Sequence, residues 1–394
     1  MDDPFGNVPF IDIHPLIHEV AADALQDFSE ILKSGEFVSG PFVTRFERLL
    51  EDGLGVKHAI ACASGTDALV LALRAAGVTR AMKVALPNLT FWATYEAVCH
   101  VGATPVLIDI DADDLQMSFD AFRSCHDKHR FDAAILVHLF GWSSARVGEF
   151  RTLCNERSIA LVEDAAQAYG VRAGGMPLLT DAKFATLSFY PAKVIGGVMD
   201  GGAVIAKSAE DCQQLRALRD HGRSAHYVHD YVGWNSRMGG LQAAYLSRVC
   251  ALSDKVIDAR RKIALFYRDF FSKHPHVKVY GPPAGVVENG YLNVMTCGTK
   301  PGNALTEALS SVGIGTGRTY PQTIDAQRPA HDAIRFGDLA VSRDFCTRVF
   351  NLPLFYGINL AQAELAATEL LNAIGASRSP GLGSASASCS SNRY

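Results

Sequence analysis

The chain has 394 residues, 48% of them hydrophobic, enough to bury a large core in two domains rather than one. Its 37 lysines and arginines against 41 acids give a formal net charge of -4 with no basic block, which excludes nucleic acid and an anionic membrane as expected partners. The amino terminus lacks the basic and apolar regions of a secretory signal, no apolar run approaches the roughly 20 residues needed to span a bilayer, and the nine cysteines contain no C-x-x-C pair, so a cytoplasmic protein with free thiols and no metal site is expected.

Apolar runs that end in a polar or glycine-rich turn alternate with helical patterns, which predicts a mostly parallel sheet covered by helices on both faces. Ala59 to Ala63 is the first such run, followed by a helix from about Thr66 to Ala76. Lys83 to Leu86, Thr104 to Asp109, Ala133 to His138 and Ser158 to Glu163 continue the series. Ala185 to Phe189 then delivers Lys193 to a loop holding Gly196, Gly197, Gly201 and Gly202, where missing side chains would let a ligand approach the backbone. From Met238 one long helical pattern runs through Tyr245 and Leu252 to Phe270. Strand-like Val277 to Tyr280 and a helix near Ala304 to Val312 follow, with Gly313 to Gly317 reading as a helix stop and loop rather than a dinucleotide fingerprint. The expected division is a large α/β domain over 1–250, a smaller α+β domain over 251–375, and a tail over 376–394, too poor in apolar groups to fold and expected to be disordered.

Three strand ends carry residues whose chemistry fits together. Ser64-Gly65-Thr66 offers amides, a hydroxyl and the positive end of a helix, either as a phosphate cradle or simply as a helix cap. Asp164 lies just beyond an apolar strand with small residues behind it, placed to pair with a protonated ring nitrogen or to cap a helix. Phe91 and Trp92 follow the Lys83 strand and can stack on a flat ligand or fill core. With Lys193 as an imine-forming amine, the set describes a site for pyridoxal 5'-phosphate.

The stretches Ser64-Gly65-Thr66-Asp67-Ala68-Leu69, Val137-His138-Leu139-Phe140-Gly141, Glu163-Asp164-Ala165-Ala166-Gln167, Ser188-Phe189-Tyr190-Pro191-Ala192-Lys193 and Gly233-Trp234-Asn235-Ser236-Arg237-Met238 stand in fixed order. In these the chain resembles the DegT/DnrJ/EryC1/StrS sugar aminotransferases, pyridoxal-phosphate enzymes of fold type I. The resemblance implies Lys193 as the Schiff-base lysine, Asp164 as partner of the pyridine nitrogen, Phe91 as the stacking ring and Gln167 as a ring contact. It further implies that Gly65, Thr66 and Ser188 hold the phosphate and that Asn235 reaches it from a neighbouring subunit, which requires a homodimer with shared sites.

The chain departs from the family's pattern at Thr319-Tyr320-Pro321, where a histidine is usual at the first place, at Gly239-Gly240 and at Met199. These leave the cofactor chemistry intact and bear on the acceptor. Tyr320, His221 and Arg223 are candidate substrate contacts. The implied reaction moves an amino group from an amino acid, glutamate by expectation, to a keto-deoxysugar on a nucleotide, with a free keto-sugar or cyclitol as the second acceptor class. A sugar dehydratase on the same fold would carry histidine in place of Lys193, and a non-catalytic cofactor-binding protein would need a damaged site.

Overall fold

The computed structural model describes residues 7–376. All of the tail expected over 376–394 except Ala376 lies outside the described residues. The centre is an eight-stranded sheet. In chain order its strands are β1 (His58–Cys62), β2 (Lys83–Pro87), β3 (Thr104–Ile108), β4 (Ala133–Val137), β5 (Ala160–Asp164), β6 (Phe184–Ser188), β7 (Gly202–Ala206) and β8 (Ile334–Arg335). Their spatial order is β1-β7-β6-β5-β4-β2-β3-β8. Every pairing is parallel except those of β7, which runs antiparallel to both β1 and β6. Strands such as β4, with no exposed residue on either face, require cover on both sides. The helices between consecutive strands supply that cover.

One apolar core surrounds this sheet, and a second gathers Tyr267, Phe271, Met295, Leu305, Phe350 and Leu370. The stretch beyond 251 is not confined to the second core, because β8 returns to extend the sheet beside β3. Val8, near the amino end, bridges to Ile314 and joins the second core.

The single long helix expected from Met238 is two helices, Gly240–Cys250 and Ser253–Phe271. The apolar periodicity continues through the break, so the sequence pattern alone carries no interruption. The two segments nevertheless meet different surroundings. The first is buried on nearly all sides against the helices His14–Ser34 and Gly40–Leu54. The second is amphipathic and runs from one core into the other, placing Val256 and Ile257 in the first and Ile263, Tyr267 and Phe271 in the second. Among the described residues no helix is long and apolar enough to cross a membrane, and no cluster of metal-ligating side chains occurs.

Candidate active site

The carboxyl ends of parallel strands are where the covering helices present free amides and where loops diverge to leave a crevice. Here the ends of β1, β2, β4, β5 and β6 open onto one cavity of about 530 Å³. β1 contributes Gly65 and Thr66, and β2 contributes Phe91 and Thr94. Asp164 and Gln167 come from β5, and Ser188 and Lys193 from β6. Tyr291 and Tyr320 close the cavity from the later part of the chain.

At the β1 end the helix-cap reading is borne out. The Ser64 hydroxyl caps the helix Gly65–Ala75 by accepting the Asp67 amide at 3.0 Å. The amides of Gly65 and Thr66 make no hydrogen bond among the described residues and face the cavity with the helix's positive end. Glycine is required at 65 because a Cβ there would stand 2.7 Å from the Ser188 Cβ.

Adjacent residues of a strand point to opposite faces, and β5 uses this to separate two acids. Glu163 turns away from the cavity into a buried pocket of charge, bonded to His138 Nε2 at 2.8 Å and held by Arg151 through two bonds of 2.8 Å. Burial pushes its carboxyl up, but the bonds from His138 and Arg151 outweigh that and hold it below the ordinary glutamate range. Asp164 turns into the cavity, only 5% exposed. It accepts the Thr94 hydroxyl at 3.0 Å and the Ala166 amide at 3.1 Å. Burial raises this carboxyl above the ordinary aspartate range, against the pull of those two donors and of Lys193 and His138. An acid held in this way is well matched to a cationic N–H in the cavity, and among the described residues no side chain bonded to it supplies such a group.

Lys193 follows β6 after the short turn that begins at Ser188, and its amine faces the cavity. The glycines after it do not serve ligand approach as the sequence suggested. A Cβ on Gly196 would meet the Pro191 carbonyl oxygen at 2.1 Å, one on Gly197 the Gln242 amide at 2.0 Å, and one on Gly202 the Ser64 carbonyl oxygen at 2.2 Å. They let the lysine loop pack against its own protein.

Gln167 is oriented by the Phe140 amide, which donates to its Oε1 at 2.6 Å, and its Nε2 donates to the Tyr320 hydroxyl at 2.7 Å. Burial pushes the Tyr320 phenol well above its ordinary range. Phe91 is 57% exposed at the rim, with its ring centroid 6.2 Å from that of Tyr320. Asn235, His221 and Arg223 do not line the cavity of this chain. They are exposed around the hairpin formed by Arg223–Ala225 and Val228–His229, with Arg223 paired to Asp220 and Asn235 Oδ1 accepting from Arg237 at 3.1 Å.

Thr94, Tyr291 and Asp200 also line the cavity and were not singled out from the sequence. Thr94 had a usable signal, since Thr90 and Thr94 lie four apart at a helix start and share a 2.8 Å bond. Tyr291 had none, because only folding brings it beside Lys193.

A cradle of free amides, a buried acid and a free amine around one cavity fit a phosphorylated, protonated pyridine, and comparison with known proteins agrees. The profile of the DegT/DnrJ/EryC1/StrS aminotransferase family matches residues 18–370. The chain is 31% identical over 353 residues to the UDP-N-acetyl-3-dehydro-alpha-D-glucosamine 3-aminotransferase of Acidithiobacillus ferrooxidans, covering 88% of this chain and 93% of that one. It superimposes on S. venezuelae DesV, solved in complex with a ketimine intermediate, with a TM-score of 0.89 at 29% identity, over 93% of this chain and 98% of that one. It also matches NtdA from Bacillus subtilis, solved with bound cofactor PMP, with a TM-score of 0.85 at 25% identity, over 95% of this chain and 86% of that one.

Proposed function

The chain belongs to the DegT/DnrJ/EryC1/StrS aminotransferase family, and from that premise we propose that it carries an amino group from L-glutamate to a keto-deoxysugar held on a nucleotide diphosphate. It is an aminotransferase, and pyridoxal 5'-phosphate is its cofactor. The observation that carries the reading is that Lys193 and Asp164 line the same cavity, with the free amides of Gly65 and Thr66 on its wall.

When bound, the cofactor supplies an aldehyde carbon for amines to join and a ring that spreads the negative charge left on a deprotonated carbon. Gly65, Thr66 and Ser188 are assigned to its phosphate, Gln167 and Phe91 to its ring, and Asp164 to its ring N–H. Asp164 must be ionised to accept that N–H, and Thr94 and the Ala166 amide favour the ionised form. Lys193 holds the cofactor through Nζ at rest and, once released, moves a proton at Nζ to and from the reacting carbon.

We assign a nucleotide-linked acceptor because the relative from Acidithiobacillus acts on a UDP-linked keto-sugar. Lys193 is the one cation among the described residues lining the cavity, so a diphosphate or a donor carboxylate needs charge from elsewhere. The hairpin near His221, Arg223 and Asn235 would provide it from a second copy in a homodimer. That hairpin carries Tyr227 at 84% and Val232 at 83% exposure, apolar surface that a second copy would cover.

The test is spectroscopic. The protein loaded with pyridoxal phosphate should lose its visible absorbance band on addition of L-glutamate and regain it with a UDP-linked 3-keto-sugar, the sugar gaining an amine by mass. A band unchanged across a range of amino acids would contradict the reaction. Amination of free keto-sugars or cyclitols alone would contradict the acceptor.

A further inference from the structure

The amine of Lys193 makes no hydrogen bond or ion pair among the described residues, yet it is not isolated. Its Nζ lies 5.0 Å from the centroid of the Tyr291 ring. An aromatic face attracts an ammonium through its quadrupole and offers a neutral amine almost nothing. A lysine has four flexible carbons and loses much rotamer freedom when fixed, so an amine that must stay near one reacting atom benefits from a seat.

Tyr291 is held in place by its neighbours on both sides. Its amide donates to Asn289 Oδ1 at 3.0 Å, and its carbonyl accepts from Arg260 Nη2 at 2.8 Å. Arg260 is buried and also binds the carbonyls of Gly290 at 3.0 Å and Leu354 at 3.1 Å. Asn289 Nδ2 in turn donates to the carbonyls of Gln167 and Tyr169, both at 2.9 Å. The loop bearing Tyr291 is thereby tied to the segment that carries Asp164 and Gln167. Gly290 sits at φ +68, and a Cβ there would stand 2.8 Å from the Arg260 backbone, so the loop is closed tightly on the buried arginine. These bonds fix the main chain at Tyr291, and so the point from which its ring projects.

We propose that Tyr291 is a positioning residue that seats the protonated Nζ of Lys193 on its ring face while the lysine is free of cofactor. This inference rests on Lys193 being the cofactor lysine. The ring holds the amine only while it carries a proton; when the N–H bond breaks and the proton leaves for the reacting carbon, the electron pair stays on nitrogen and the seat loses its hold. The aromatic face, rather than the phenol hydroxyl, does the holding.

The cofactor-free protein and its Tyr291→Phe and Tyr291→Leu variants test this without turnover. Each is treated with a limiting amine acylating reagent at neutral pH, and acylation at Lys193 is counted by peptide mass spectrometry against surface lysines. We expect the Phe variant to match the wild type and the Leu variant to be labelled about three- to tenfold faster at Lys193, the range expected for losing a part-buried cation–π contact. Equal labelling in wild type and Leu variant would overturn the proposal, as would a Phe variant behaving like Leu. A melting curve for each variant guards against misfolding, and Tyr291→Trp, which keeps a ring face, should restore slow labelling if Leu disturbs the loop. Adding pyridoxal phosphate separates this inference from the one beneath it: if the wild type forms no imine band, the cofactor role of Lys193 fails, whatever the labelling shows.

Discussion

Thr94 donates its hydroxyl hydrogen to Oδ2 of Asp164 across 3.0 Å, from the helix that follows β2 to the end of β5. Asp164 is pushed up by burial, and this donor is one of the groups that restrain the rise. Replacing Thr94 with Val keeps the shape and removes the donor. A hydrogen bond to a charged group contributes about 1.5 to 3 kcal/mol, so cofactor affinity at neutral pH should fall roughly tenfold or more. The ionised carboxylate is the binding form, so in this variant binding should weaken on acidification from a higher pH than in the wild type. Absorbance titrations with pyridoxal phosphate at several pH values check both statements.

Asp164→Asn should separate stability from function. A buried acid with a raised pKa binds more protons folded than unfolded, so its contribution to the stability of the cofactor-free protein falls as pH rises from the unfolded value through the folded one. At neutral pH the uncharged amide avoids that cost. The cofactor-free Asn variant should melt at or above the wild-type temperature while transamination falls at least a hundredfold, which calorimetry and a coupled assay would show. A variant that melts well below wild type and retains activity would oppose both halves.

Glu163 is the opposite case on the neighbouring position. His138 and Arg151 hold its carboxyl below the ordinary range, so its stabilisation is present at neutral pH and is lost as pH falls through the lowered value. Glu163→Gln leaves Arg151 without its buried partner and should destabilise by about 3 kcal/mol at neutral pH. The gap to wild type should narrow in acid. Urea denaturation at neutral and acid pH measures it.

Arg260 binds three carbonyls and, among the described residues, meets no carboxylate; burial pushes its guanidinium down to about 10. Arg260→Met should cost about 3 kcal/mol through the acceptors it leaves unmade. It should also loosen the loop of Tyr291, so amide exchange over residues 288–293 should speed up more than exchange in β4. Uniform exchange across both would argue that the arginine does not hold the loop.

The parallel sheet was legible because each strand reads as a short apolar run ending at a turn, and the site residues stand at those turns. Gly65, Thr66, Phe91, Asp164, Gln167, Ser188 and Lys193 are each within a few positions of a strand end, so their convergence follows from topology. Tyr320 lines the same cavity. The break between Cys250 and Ser253 was hidden because apolar spacing persists across it, and only the change from all-round burial to one buried face distinguishes the two helices. Tyr291 was invisible for another reason: its loop is placed by Arg260 and Asn289, and nothing in local sequence says which strand end such a clamp will meet. The glycines after Lys193 were visible but misread, because a tight contact with Pro191, Gln242 or Ser64 leaves the same residue type as an approach to a ligand.

The most direct measurement is to trap the amine itself. The protein is incubated with pyridoxal phosphate, reduced with borohydride, digested and mapped by mass spectrometry. One stoichiometric phosphopyridoxyl group is expected, carried on Lys193 in the segment that begins at Ser188, and absent from a Lys193→Ala variant. A label on another lysine, or equal labelling of the variant, would contradict it.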